Sequence, residues 1–233
     1  MKENRRVCSI FGAGEYEGLT LQATELQEQY VIAADGGYLF LCQNQIVPDL
    51  FVGDFDSGEQ MEDFLRNQTL PPEIEMIRLN PIKDDTDMLY AIKEGMKRGC
   101  QEFHLYGGLG GRLDHTISNI QALAYLSSHK KTGYLIGNNM FATILENETI
   151  LFDESVQKDK YISVFAYGGN VSKVSLKGFA YELKDAKITG DFPIGTSNRF
   201  IGKQAMITIS KGKLLVVAYT KIDKILKRKR IDE

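Results

Sequence analysis

Residues 50–58, Leu50-Phe51-Val52-Gly53-Asp54-Phe55-Asp56-Ser57-Gly58, run from an apolar stretch straight into two carboxylates one residue apart. Leu50-Phe51-Val52 has the composition of a buried strand, and Gly53 ends it. In an extended segment residues two apart project to the same side. Asp54 and Asp56 therefore face one way, and Phe55 faces the other, into a core.

The same pattern recurs on either side. Val7–Phe11 is an apolar run ended by Gly12-Ala13-Gly14, and Val31–Ala34 is ended by Asp35-Gly36-Gly37. Ile74–Leu79 and Phe103–Tyr106 supply two more strands, the latter ended by Gly107-Gly108. Between them lie helical periods: Leu19, Ala23, Leu26 and Tyr30; residues 59–67; residues 85–98 with Met88, Ala91, Ile92 and Met96 on one face; and residues 114–128 with Ile117, Ile120, Leu123 and Ala124 in register. Strands alternating with helices predict a mostly parallel sheet in an α/β N-terminal domain, residues 1–135.

From about Thr132 the helical period stops. Short strand-like runs follow, over 134–136, 141–145, 149–152, 161–167, 171–176, 179–183, 205–210 and 214–219. They are punctuated by Asn138-Asn139, Gly168-Gly169-Asn170 and Lys211-Gly212-Lys213. That pattern predicts an all-β sandwich over 136–233. The basic run Lys227-Arg228-Lys229-Arg230 reads as a solvated end.

Composition bounds the function. The 233 residues carry a net charge of −3, with 43% hydrophobic and 25% charged residues, which does not suggest a nucleic-acid partner. No run approaches the ~20 apolar residues of a membrane helix. Three scattered cysteines, Cys8, Cys42 and Cys100, with no signal-like leader, fit a cytoplasmic protein.

In an open parallel sheet, ligands bind beyond the carboxyl ends of the strands. Asp35, Asp54, Asp56 and the run Lys83-Asp84-Asp85-Thr86-Asp87 all fall at such ends. Like charges about 4 Å apart repel by about 4 kcal/mol at an effective dielectric of 20. A hard divalent cation resolves this, and Mg²⁺ pairs one or two carboxylates with substrate phosphates. Taken singly, each motif is more often a turn or a helix cap than a site, with Asp85 the candidate cap. Their coincidence at several strand ends favours a site. GGLGGRLDH, residues 107–115, is glycine-rich and opens a helix, so its N–H groups and Arg112 suit phosphate. It is not a Walker A loop, and Gly12-x-Gly14 lacks the dinucleotide spacing. His115 reads as a capping or hydrogen-bonding residue; His104 and His129 read as structural or exposed.

Five segments together resemble the thiamine pyrophosphokinase family: ADGG at 34–37, VGDFDS at 52–57, KDDTD at 83–87, GGLGGRLDHTISN at 107–119 and GTSNRFIG at 195–202. Their order and spacing match along nearly the whole chain. The resemblance implies transfer of diphosphate from ATP to thiamine, releasing AMP. It implies Asp54, Asp56 and Asp87 as Mg²⁺ ligands, with Asp84 beside them as a catalytic carboxylate. Asp35, Gly36, Lys83, Gly107, Gly108, Arg112, Asp114 and His115 would hold nucleotide and phosphates. Thr196, Ser197 and Asn198 would meet thiamine. It also implies a homodimer, with the site between the α/β domain of one chain and the β-domain of the other. The stacking tryptophan of some relatives is absent, since the chain has no Trp, and Val217 or Tyr219 falls near its place. The residues alone leave two other readings open: a Mg²⁺-dependent phosphohydrolase or nucleotidyltransferase, and a non-catalytic sensor of thiamine or nucleotide.

Overall fold

The structure is a computed structural model, and it describes residues 6–53, 71–80 and 85–231. The chain divides into two compact units, at residues 138 and 139.

The first unit is built on six parallel strands. They are β1 (Val7–Phe11), β2 (Tyr30–Ala34), β3 (Leu50–Gly53), β4 (Glu75–Arg78), β5 (Glu102–Tyr106) and β6 (Thr132–Gly137). Their order across the sheet is β6-β5-β1-β2-β3-β4. β1 pairs in parallel with both β2 and β5, so the order reverses beside it. The run at 134–136, read from sequence with the later strands, lies in β6 and pairs in parallel with β5.

The helices are α1 (Gly37–Gln43), α2 (Asp87–Lys97) and α3 (Leu113–Ser128). The period at Leu19–Tyr30 does not become an α-helix: the segment holds only a 3-10 turn at Ala23–Leu26. Gly18 turns the chain at φ +68°, and Leu19, Leu21 and Leu26 reach the core from an irregular path. Apolar spacing here reports burial, not helix. The helix that does follow β2 is α1, which was not evident in sequence. A Cβ on its first residue, Gly37, would lie 1.9 Å from the Phe11 carbonyl oxygen, so only glycine admits so close an approach. Residues 59–67, expected to be helical, lie outside the described residues.

The second unit is antiparallel. It comprises β7 (Met140–Phe152), β8 (Tyr161–Lys177), β9 (Leu183–Ile188), β10 (Asn198–Arg199), β11 (Ala205–Ala218) and β12 (Ile225–Arg230). β11 lies between β7 and β8; β10 and β9 pair with β8, and β12 pairs with β7. Three pairs of short runs separated in the sequence reading fuse into β7, β8 and β11. Asn138-Asn139 does turn the chain between β6 and β7, but Gly168-Gly169-Asn170 and Lys211-Gly212-Lys213 sit inside these strands instead of reversing them. Against β8, the register of β11 shifts between Lys211 and Lys213, and Gly168 has φ +70°. Glycine-rich signals mark bulges as readily as turns. The core here includes Phe141, Phe152, Phe179 and Phe200, with Phe152 and Phe200 centroids 5.2 Å apart.

The basic tail forms β12, in which Lys227, Lys229 and Arg230 are solvated as expected but Arg228 turns inward. Arg228 is 9% exposed, donates to Glu148 at 2.7 Å, to Thr143 Oγ1 at 2.8 Å and to the Ile144 carbonyl at 2.7 Å. Among the described residues, no helix is long and apolar enough to cross a membrane.

Candidate nucleotide site in the first unit

Because the strand order reverses between β1 and β5, the chain segments leaving these two strands diverge and open a crevice at their carboxyl ends. A cleft of about 480 Å³ lies there. One wall is Gly12–Glu15 after β1, and the opposite wall is the glycine loop after β5 with the first turns of α3. Ala34 and Asp35 close it beside β2, and Thr86–Met88 close it at the start of α2.

Backbone geometry explains the glycines. The Gly12 N–H donates to the Tyr106 carbonyl at 2.9 Å and the Gly14 N–H to the Gly107 carbonyl at 3.0 Å, extending the β1–β5 ladder past the strand ends. A Cβ on Gly14 would lie 2.2 Å from the Gly107 oxygen, a backbone atom that cannot swing aside. Gly107 itself has φ +64°.

Asp35 occupies the left-handed region at φ 51°, which Asp tolerates better than most residues. Its N–H donates to the Val52 carbonyl at 2.8 Å, and its carbonyl accepts from the Tyr38 N–H at 3.1 Å. These bonds hold the residue between β2 and α1 at the cleft wall.

The cap of α2 is Thr86, whose hydroxyl accepts from the Leu89 N–H at 3.2 Å. Asp85, the candidate cap, instead pairs with Lys93 at 2.6 Å. Asp87 is the first residue of α2 and lines the cleft, where the helix N-terminus favours negative charge.

On the other wall, Arg112 precedes α3 and pairs with Asp114 through two contacts, at 3.2 and 2.6 Å. The hydrogen bond raises the guanidinium pKa and holds the Asp114 carboxyl below its ordinary range. Both side chains are exposed, so the pair is weak and Arg112 is exchangeable toward an arriving phosphate.

Of the site residues expected from sequence, the cleft brings together Asp35, Asp87, Gly107, Gly108, Arg112 and His115. Gly36, the N-cap of α1, and Asp114 are not on its lining. Asp54, Asp56, Lys83 and Asp84 lie outside the described residues. Among the described residues no group of three or more metal-binding side chains forms a cluster.

Thr196, Ser197 and Asn198 belong to the second unit. The Thr196 hydroxyl donates to the Pro193 carbonyl at 3.1 Å, and the Ser197 N–H donates to Ser163 Oγ at 3.0 Å. Asn198 is buried and its amide is committed: Nδ2 donates to the Tyr181 carbonyl at 2.7 Å, while Oδ1 accepts from the N–H groups of Tyr181 and Arg199. Tyr219 is half-exposed just past β11, on the face shared by Val217 and opposite the buried Val216 and Ala218.

Sequence reasoning missed Glu15, Met88, Ser118 and Asn119 on the lining. Ser118 and Asn119 follow His115 by three and four positions, so the helical spacing already placed them on its face. Asn119 is buried and donates to the Gly108 carbonyl at 2.9 Å, fixing the glycine loop to α3. Glu15 had no comparable signal. It reaches the loop only because Gly110 leaves room: a Cβ there would lie 2.3 Å from its Oε2.

Two family models match the chain in order. Residues 21–135 match the thiamin pyrophosphokinase catalytic domain, and residues 147–214 match the thiamin pyrophosphokinase vitamin B1 binding domain. A thiamine pyrophosphokinase of Bacillus subtilis is 26% identical over 190 residues, covering 81% of this chain and 86% of that protein. The crystal structure of a thiamine pyrophosphokinase from Bacillus subtilis superposes with a TM-score of 0.80 at 25% identity, covering 93% of this chain and 100% of the other. That of a thiamin pyrophosphokinase from Geobacillus thermodenitrificans gives 0.77 at 24% identity, covering 94% and 99%, and speaks for the fold alone.

Proposed function

We infer the reaction of a chain that belongs to the thiamin pyrophosphokinase family, and we propose which of its residues carry that reaction. It is an enzyme that transfers diphosphate from ATP to thiamine, giving thiamine diphosphate and AMP. The observation that carries this is the order of the two matched models, catalytic and vitamin B1 binding, each falling within one compact unit.

The cleft beyond β1 and β5 is the ATP site in this reading. The glycine loop, residues 107–111, offers backbone N–H groups, and the N-terminus of the 16-residue α3 adds positive potential. Arg112 leaves Asp114 for a phosphate, and Lys83 joins it. The thiamine hydroxyl oxygen forms a bond to the β-phosphorus while the bond from that phosphorus to the α-phosphate bridging oxygen breaks, and AMP leaves with that oxygen. Such transfer is mostly positioning and charge neutralisation.

The donor set suits Mg²⁺: the carboxylates of Asp35 and Asp87 line one cleft, and the family pattern would add those of Asp54, Asp56 and Asp84. Asp54, Asp56 and Asp87 would hold the ion. When bound it neutralises phosphate charge. The carboxylates around it, Asp84 among them, orient the thiamine hydroxyl and take its proton.

The first unit, residues 1–138, acts as the catalytic half, since the boundary expected at 135/136 falls inside β6. The antiparallel second unit, residues 139–233, acts as the thiamine half. Thr196 and Ser197 meet thiamine, and Asn198 shapes that loop through its bonds to Tyr181. The active form is a homodimer whose sites combine unlike halves of two chains. Exposed Tyr181, Phe192 and Ile194 beside the 196–198 loop favour that arrangement. Three free cysteines favour the cytoplasm.

The test is direct. Purified protein is incubated with ATP, Mg²⁺ and thiamine, and the products are separated. Thiamine diphosphate and AMP are expected in equal amounts, both dependent on thiamine. ADP or phosphate formed without thiamine would overturn the assignment.

A further inference from the structure

Tyr16 follows the β1 loop and belongs to none of the motifs above, yet several contacts converge on it. Its hydroxyl donates to the Gly12 carbonyl at 2.5 Å. Its ring stacks on Phe40 with centroids 3.9 Å apart and lies 6.5 Å from Phe11, whose ring in turn stacks on Tyr106 at 4.7 Å. The rings thus join β1, α1 and β5 beneath the cleft. Its carbonyl accepts from the Leu19 N–H at 2.9 Å, which turns the chain back over the sheet.

The hydroxyl also meets the opposite wall. A Cβ on Gly107 would lie 2.4 Å from Tyr16 Oη and 2.7 Å from the Gly12 oxygen. Gly12, Gly107 and the phenol therefore meet at one point, where the walls of the cleft join. The ladder bonds from the Gly12 and Gly14 N–H groups tie the same two loops, and the phenol anchors the Gly12 carbonyl. Burial pushes the phenol pKa far up, so it remains a donor at every working pH.

We propose that Tyr16 is a positioning residue for the nucleotide. By holding the Gly12 carbonyl against the base of the Gly107–Gly111 loop, it sets the spacing of the two walls that receive ATP. This rests on the reading of the cleft as the ATP site. Tyr16 touches no reacting atom, so its effect falls on nucleotide affinity and not on the chemical step.

Tyr16→Phe removes the hydroxyl and keeps the stack. Its KM for ATP is expected to rise about tenfold, with KM for thiamine and kcat within about twofold and Tm within a few degrees. Phe40→Leu keeps the hydroxyl but loosens the ring, and is expected to raise KM for ATP by a smaller factor. Equilibrium dialysis of a non-hydrolysable ATP analogue against each full-length protein separates the two premises. An analogue that binds wild type and Tyr16→Phe equally overturns the role of Tyr16 alone. Failure of wild type to bind it overturns the cleft reading, and the role of Tyr16 with it. A lower Tm with unchanged KM for ATP makes the residue structural and also overturns the proposal.

Discussion

The two units carry opposite charge. Before residue 139 lie 20 of the 31 acidic residues and 12 of the 28 basic ones; after it lie 11 acidic and 16 basic. In the reading proposed above, the acidic unit receives the polyanion ATP and the basic unit receives thiamine, a cation. Each thus has the same sign as its substrate. Bulk attraction selects neither. Recognition in that reading comes from local devices: backbone N–H groups, one arginine, aromatic and polar contacts. The units also spend polar residues differently. In the first, β2 and β3 are buried and apolar, and the cleft lies beyond the strand ends. In the second, buried polar groups such as Glu148, Thr143 and Asn198 hold backbone and strands together.

That contrast is open to test, and the largest effect falls on the second unit. Arg228→Ala leaves Glu148 buried without its cation, which costs about 3–5 kcal/mol. Hydrogen exchange should show β7 and β12 losing protection, while ATP-analogue binding in the first unit persists. Replacing both partners, as in Arg228→Met with Glu148→Leu, should recover most of the loss. Next comes Asp87→Asn. Its turnover should fall about 10²–10³-fold with little change in Tm, the reverse of the Arg228 pattern. Near-normal activity would remove Asp87 from the acidic rim. Gly14→Ala is smaller: the clash with the Gly107 carbonyl should weaken ATP binding and cost about 1–3 kcal/mol in a denaturant melt.

The smallest effect is on pH. Burial alone would raise the Glu94 carboxyl, but hydrogen bonds from Lys97 and Arg98 outweigh it and hold it below its ordinary value of 4.5. A depressed carboxyl contributes stability above the unfolded pKa, and that stability is lost as pH falls through the folded one. Tm should therefore decline below about pH 4.5. Glu94→Gln should decline less steeply over the same range. Equal slopes would exclude Glu94 as the source.

Much of this was legible in the chain. Strand ends declared themselves because apolar runs stop abruptly at glycine and aspartate, and this placed Asp35, Asp87 and the 107–112 loop on one rim. What was not legible has identifiable causes. Leu19, Leu21 and Leu26 share a helical spacing, yet they reach the core from a looping path. Gly37 looked like a turn residue because its role is set by an atom of Phe11, 26 positions away. Lys211-Gly212-Lys213 and Gly168-Gly169 looked like reversals, although a bulge uses the same residues. Arg228 looked solvated because Glu148 and Thr143, its buried partners, are distant in sequence. Tyr16 carried no motif at all; its phenol meets two glycine-bearing loops, at Gly12 and Gly107, that only folding brings together.

The pairing of β12 with β7 has a consequence for synthesis. Glu148 emerges 80 residues before the arginine that neutralises it. β11 must likewise wait between β7 and β8, with Ala218 facing Phe141. The first unit can close its sheet while the second is still growing, but the β7 strand keeps an unpaired edge and an unmatched carboxylate until Arg228 is made. A nascent chain halted before that residue should be readily cleaved by protease across β7, while a chain a few residues longer resists. The final basic strand thus acts as a clasp, and it sets the moment at which the newly made protein stops being vulnerable.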